Sequence, residues 1–203
     1  MKKFVSMLAG AVLLIVISQA NVNAQDGVAK GDFLLSPFIG GPYVYAGSGF
    51  SFTLGVTGEY AFTDEISGGG YLAFTRWDYG YGSGDIGYNF VDFGVRASYH
   101  FAKLLKVSNK KFDPYAGASL GFNSSKNDYN GAYDDIYDGG VRGGLYAGAR
   151  YFWKPNMGVF GEVGVMYSRT RTSGESSVLQ SPPSTQRGHA AGIRSAVGVI
   201  LFF

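Results

Sequence analysis

Residues 51–63 read Ser-Phe-Thr-Leu-Gly-Val-Thr-Gly-Glu-Tyr-Ala-Phe-Thr. Phe52, Leu54, Val56, Tyr60 and Phe62 fall on one side of this stretch, and Ser51, Thr53, Thr57 and Glu59 on the other. A period of two is the signature of a β-strand with one apolar and one polar face. The polar face carries small residues and a lone acid, while the apolar face is large and almost unbroken. That imbalance decides how the strand is used.

Seven further runs share the pattern, at 32–41, 67–79, 88–101, 112–123, 140–152, 157–168 and 188–203. The fourth, for example, sets Val91, Phe93, Val95, Ala97, Tyr99 and Phe101 against Asp92, Arg96, Ser98 and His100. Eight is an even number, and most runs have ten residues or a few more. Ten residues rising ~3.3 Å each at a tilt of ~40° cover about 25 Å, the height of an apolar membrane band. The connections at 63–67, 102–111 and 153–156 tend to be shorter than those at 41–50, 78–87, 124–139 and 169–187. This is the expected asymmetry between periplasmic turns and outer loops, although 102–111 is no shorter than the first two outer loops. Two places disturb the pattern. An inward Arg76 takes Leu72 and Phe74 inward with it, so the third run either breaks its alternation or holds a bulge. Pro37 lies inside the first run, where a closed sheet has no free edge for a missing N–H.

Composition agrees with an all-β chain that turns its apolar face to lipid. Glycine numbers 32, tyrosine 15 and phenylalanine 16, while charged residues make up only 16%. A soluble barrel or sandwich needs more exterior charge than that. Tyr60, Trp77, Tyr79, Tyr88, Tyr99, Tyr151, Trp153 and Tyr167 fall near strand ends and suit interfacial girdles. The expected fold is an antiparallel up-and-down eight-stranded transmembrane β-barrel, since a closed barrel satisfies every backbone group in lipid.

Residues 1–24 read as a cleaved signal peptide. Lys2 and Lys3 precede an apolar run from Phe4 to Ile17, and Val22-Asn23-Ala24 supplies small residues for cleavage before Gln25. The run is shorter than the ~20 residues a spanning helix needs. Residues 25–203 then form one barrel domain with 15 basic and 15 acidic residues. That balance gives no reason to expect nucleic acid as a partner. The absence of cysteine removes a disulfide framework and a lipoprotein anchor.

The chain ends on Phe203, with Leu201 two residues before it and Gly198 five before. This resembles the terminal signal by which outer-membrane barrels are recognised for assembly, with Ala196 standing where a polar residue is usual. Together with the signal peptide and the run Phe112-Asp113-Pro114-Tyr115-Ala116-Gly117, residues 25–203 resemble the outer-membrane β-barrel domain family, akin to small OmpA/OmpX-type barrels. The resemblance implies residence in a bacterial outer membrane with both termini periplasmic. It also implies contact with outer-membrane lipid and lipopolysaccharide, delivery by the barrel-assembly machinery, and a monomer without cofactor. It says little about function, because one fold hosts many roles.

Candidate functional residues are the charges on the polar faces: Glu59, Asp92, Arg96, Arg142, Arg150, Glu162 and Arg194, with Arg76 beside them. An eight-stranded barrel is just wide enough for side chains to fill. A packed salt-bridge network is therefore favoured over a selective pore lined by the same groups. Five arginines against three acids would bias any leak toward anions. His100 and His189 belong to opposite ends and share no site, which leaves little basis for a lipid-modifying enzyme, and no metal-ligand cluster is evident. Residues 126–138, with Asp128, Asn130, Gly131, Asp134, Asp135 and Asp138, have calcium-like oxygen donors without the required spacing and read as a solvated acidic loop. Arg169, Arg171 and Arg187 flank a Ser/Thr-rich loop that could meet lipopolysaccharide phosphates. The expected role is structural or surface-interacting, carried by four outer loops, with a narrow pore or small-molecule transport barrel as the first alternative and a lipid-modifying barrel enzyme as the second.

Overall fold

The computed structural model describes residues 27–41, 49–81, 84–128, 136–174 and 184–203. The expected signal peptide and the tips of the four outer connections lie outside them. Eight strands appear: β1 (Phe33–Gly41), β2 (Gly49–Ala61), β3 (Ile66–Tyr81), β4 (Gly84–His100), β5 (Phe112–Asp128), β6 (Ile136–Lys154), β7 (Met157–Gly174) and β8 (Ser184–Phe202). Each pairs antiparallel with the next, and β1 pairs with β8, so the sheet closes into an up-and-down barrel.

Burial alternates along the described parts of the strands, except at the end of β8, where Ile200, Leu201 and Phe202 are all buried. In β2, Thr53, Thr57, Glu59 and Ala61 are buried while Phe52, Leu54 and Tyr60 are exposed. The exposed face continues around the barrel through Leu72, Phe74, Val91, Phe93, Leu120, Leu145, Val165 and Ile193. In water such a continuous apolar surface would drive aggregation; facing hydrocarbon it is what a spanning barrel requires. An aromatic belt rings the end that holds Phe33 and Phe203. It contains Tyr60, Phe62, Tyr99, Phe101, Phe112, Tyr151 and Trp153, with Tyr60–Phe62 and Tyr99–Phe101 rings packed edge to face. Four of the expected girdle residues stand here. Tyr167 is exposed towards the opposite end, and the side chains of Trp77, Tyr79 and Tyr88 are outside the described set.

The strands overrun the expected runs on that opposite side. β4 begins at Gly84 rather than 88, β5 reaches Asp128, β6 starts at Ile136, and β7 reaches Gly174. The stretch 78–87 is therefore ladder almost throughout, not a long loop. The asymmetry lies in strand overhang, and the long connection 101–111 belongs to the belt end. The physical reason is simple. Backbone pairing continues beyond the membrane, but the apolar–polar alternation stops there because both faces can meet water.

The β1–β8 seam shows the effect of Pro37. Leu34↔Phe202 and Leu35↔Leu201 are in register, as are Phe38↔Gly198 and Ile39↔Val197, with no pairing at Ser36 and Pro37 between them. The register is identical on both sides, so there is no bulge. The ladder merely skips where proline has no N–H. On its other edge Pro37 pairs with Val56 in unbroken register. Below the gap, Phe33 and Phe203 exchange backbone hydrogen bonds of 3.2 and 3.0 Å.

The chain before β1 folds over the belt-end mouth. Gly31 N–H donates to the Ala61 carbonyl (2.8 Å), and Ala29 N–H donates to the Asp32 carboxylate (2.8 Å). Val28 packs on an apolar cluster inside the barrel, built from Leu34, Phe38, Phe152, Phe160, Ile200 and Phe202 among others. The barrel interior is thus apolar beside the seam and charged across from it.

Candidate functional site

The charged half is organised around Glu59. Its carboxylate accepts hydrogen bonds from Ser67 (2.7 Å) and Ser98 (2.9 Å) and from the Arg150 guanidinium (3.0 Å). Arg96 Nε stands 3.2 Å away, close enough to pair charges though not aligned for a hydrogen bond. The far end of Arg96 donates to Glu162 (2.7 Å), which also accepts from the Tyr115 hydroxyl (3.2 Å). Strands β2, β4, β6 and β7 each contribute one charge to this set, so the network ties opposite walls together. A charge buried in this way is tolerated because it is paired and hydrogen-bonded.

Two tyrosines complete the packing. The Arg96 guanidinium lies 4.2 Å from the centre of the Tyr146 ring and that of Arg150 4.3 Å from Tyr115. Each ring lies across a glycine on the neighbouring strand, Tyr146 opposite Gly117 and Tyr115 opposite Gly148. A methyl group at either glycine would run into the tyrosine and into backbone. Part of the glycine content therefore makes room for rings in a narrow barrel.

His100 sits lower, with Nδ1 2.8 Å from the Asp113 carboxylate and Nε2 2.9 Å from Ser67 Oγ. Ser, His and Asp thus follow one another as in acyl-transfer enzymes. Here, however, the serine is completely buried and its hydroxyl donates to Glu59. Its oxygen faces neither a substrate space nor an oxyanion site, so the trio extends the network to the belt end. His189 lies elsewhere, outward and exposed, 2.5 Å from the Tyr167 hydroxyl, while Ser168 is buried on the inner face.

Six of the expected lumen residues, Glu59, Asp92, Arg96, Arg142, Arg150 and Glu162, are inward and buried. Arg194 is inward and half-buried, 5.1 Å above the Phe38 ring. Arg76 is the correction: it is exposed on the outward face with Leu72 and Phe74, and β3 runs in unbroken register with both neighbours. Neither a bulge nor a break turns it inward, because alternation fixes its face once Tyr71, Ala73 and Thr75 point in. Sequence reasoning also passed over Asp113, which alternates in phase with Tyr115 and was legible. With Arg76 out and Asp113 in, the lumen set among the described residues becomes four arginines against four acids, and its anion bias disappears.

Toward the overhanging end the packing loosens. Arg142 pairs with one oxygen of Asp92 at 2.5 Å. The second Asp92 oxygen, the Tyr71 hydroxyl and Asn123 Oδ1 are buried without a protein partner among the described residues. A cavity of about 10 Å³, room for one water, lies between Ser119, Tyr146, Glu162 and Arg194. Among the described residues no cluster of acids and histidines could hold a metal.

The expected assembly residues converge on the seam. Leu201 pairs with Leu35, Gly198 with Phe38, and Phe203 with Phe33. Gly198 is inward, where a side chain would meet Phe160 and the Pro37 carbonyl.

The shape is shared with solved barrels. OprG from Pseudomonas aeruginosa superposes with a TM-score of 0.59 at 16% identity, over 88% of this chain and 99% of that one. Neisserial surface protein A gives 0.55 at 19% identity, over 86% and 100%. At these identities the likeness is one of fold alone. No curated protein matches the sequence. The model of the outer membrane protein beta-barrel domain matches residues 9–199, and the chain belongs to that family of outer-membrane barrels.

Proposed function

We propose that this barrel has a structural or surface-interaction role and that its lumen is closed to ions. One observation carries the reading: Glu59, Arg96, Arg150 and Glu162 bridge the lumen at 2.7–3.2 Å and are almost wholly buried. Val28 and the apolar cluster close the belt-end mouth as well. The belt end faces the periplasm and the overhanging strands face outward, an orientation supported by the Gly198-Leu201-Phe203 pattern. The outer connections then carry recognition of a partner, and lipopolysaccharide is the surrounding lipid on that side. The protein acts as a monomer, without enzymatic activity.

The test is single-channel recording of refolded protein in a planar bilayer, with a heat-shifted gel band as proof of folding. A folded barrel without discrete current is the expected result. Steady, salt-dependent openings would overturn the reading. The partnerless polar atoms of Tyr71, Asp92 and Asn123 favour a second one, a pore with a hydrated vestibule that needs only the Glu59 layer to part. Under that reading Arg96→Ala raises conductance in a barrel that already conducts.

A further inference from the structure

Seven lysines follow residue 24, and six of them, Lys30, Lys103, Lys106, Lys110, Lys111 and Lys154, are exposed at the belt end. The arginines are distributed otherwise. Arg96, Arg142, Arg150 and Arg194 line the lumen, and Arg76 and Arg169 lie on the outer half of the barrel. Among the described residues the acids beside the lysines at this surface are Asp64 and the half-buried Glu65, which holds Lys103 at 2.6 Å.

The segment between β4 and β5 shapes the patch. Val107 N–H donates to the Ala102 carbonyl and Lys106 N–H to that of Lys103, with Lys106 left-handed at φ 49°. This is a Schellman closure of a single helical turn. It leaves Leu104 and Leu105 65% and 61% exposed, just beyond the belt of Tyr99, Phe101, Phe112 and Trp153. Such a belt marks the level of the headgroups. Lysine stems can lie along the apolar edge while the ammonium groups reach the phosphates.

We propose that this rim docks anionic phospholipid headgroups, with Leu104 and Leu105 entering the acyl boundary and the lysines closing on the phosphates. The proposal rests on the orientation given above, which puts the rim against the phospholipid leaflet. Charge complementarity selects an acidic surface. The leucine pair beside the aromatic belt selects a bilayer over a soluble acidic protein.

The chain has no cysteine, so Leu105→Cys carries a single environment-sensitive dye. The folded protein is reconstituted into phosphatidylcholine vesicles with and without phosphatidylglycerol. A blue shift of the dye that is larger with phosphatidylglycerol is expected. No shift in either vesicle places the rim in water and overturns the proposal; equal shifts overturn its charge selectivity. Native mass spectrometry of the detergent-folded barrel then compares retention of the two lipids. Lys106→Gly with Lys111→Gln should lower the preference for phosphatidylglycerol by roughly fivefold per lysine removed. Lys106→Gly also relieves the left-handed strain, so misfolding cannot account for the loss. An unchanged preference refutes the role of the lysines. Labelling of Leu105→Cys in intact cells by a membrane-impermeant thiol reagent would show the orientation to be wrong, independently of the vesicle result.

Discussion

Glu59→Ala tests the lumen network most directly. The substitution removes an acceptor for Ser67 and Ser98 and the counter-charge of two buried arginines. The losses are unequal. Arg96 keeps Glu162 at 2.7 Å, whereas the next carboxylate for Arg150 is Asp113 at 3.8 Å. Ser98 retains the Tyr146 hydroxyl at 3.0 Å and Ser67 retains His100. The uncompensated group is therefore Arg150. Breaking a buried pair from one side costs about 3–5 kcal/mol, and the remaining Asp113 argues for the low end. A loss of ~3 kcal/mol lowers the folded-to-unfolded ratio roughly 150-fold. Glu59→Gln preserves volume and one acceptor and should lose about half as much energy. Reversible urea unfolding in lipid vesicles, followed by tryptophan emission and gel mobility, measures both. The decisive comparison is Arg150→Met in the two backgrounds. It should be far milder once Glu59 is gone, because the charge is then already unpaired. Equal costs in both backgrounds would refute the coupling on which the sealed-lumen argument depends.

Three further outcomes are expected. Gly117→Val collides with Tyr146 and the Ala97 carbonyl and should cost at least 1–3 kcal/mol by overpacking, whereas Gly161→Ala, with nothing within 4 Å, should leave the unfolding midpoint unchanged. Pro37→Val supplies the missing donor toward β8, and the new amide at position 37, with that of Val199 opposite it, should be protected in hydrogen exchange; rapid exchange of both would mean that the gap has another cause. The hydrogen bond from Lys103 holds the Glu65 carboxyl below the usual carboxylate range. Its stabilising contribution is present above that range and is lost as pH falls through the lowered value. Carboxyl NMR should show Glu65 titrating higher in Lys103→Gln, and no change would remove the pair from consideration.

The architecture was legible because hydrocarbon imposes a simple rule on one face. Any segment such as 51–63, where all but one of the alternate residues are large and apolar, has to be a strand if it is exposed to lipid. The rule extends only to the membrane boundary, so 84–87 and 124–128 looked like loops although they continue the ladder. The inner face obeys no comparable rule. Leu34, Phe38, Ile200 and Phe202 share it with Glu59 and Arg150, since the lumen asks only that volume be filled and charge be paired. Arg76 was misplaced by treating charge as sufficient reason to point inward. Near the outer end of a strand, an arginine can remain on the lipid side and extend its guanidinium toward water.

The pairing of Phe33 with Phe203 also governs how the barrel forms. Seven of the eight strand pairings join neighbours in sequence and can zip as hairpins on microsecond timescales. The eighth joins strands at opposite ends of the barrel's sequence, and its ladder skips a step at Ser36 and Pro37. Until β8 arrives, β1 and β7 present open edges that other chains can capture. Closure is thus the slow event, dominated by the entropy of bringing distant segments together. A cell making this protein must keep an open sheet from aggregating for as long as that step takes.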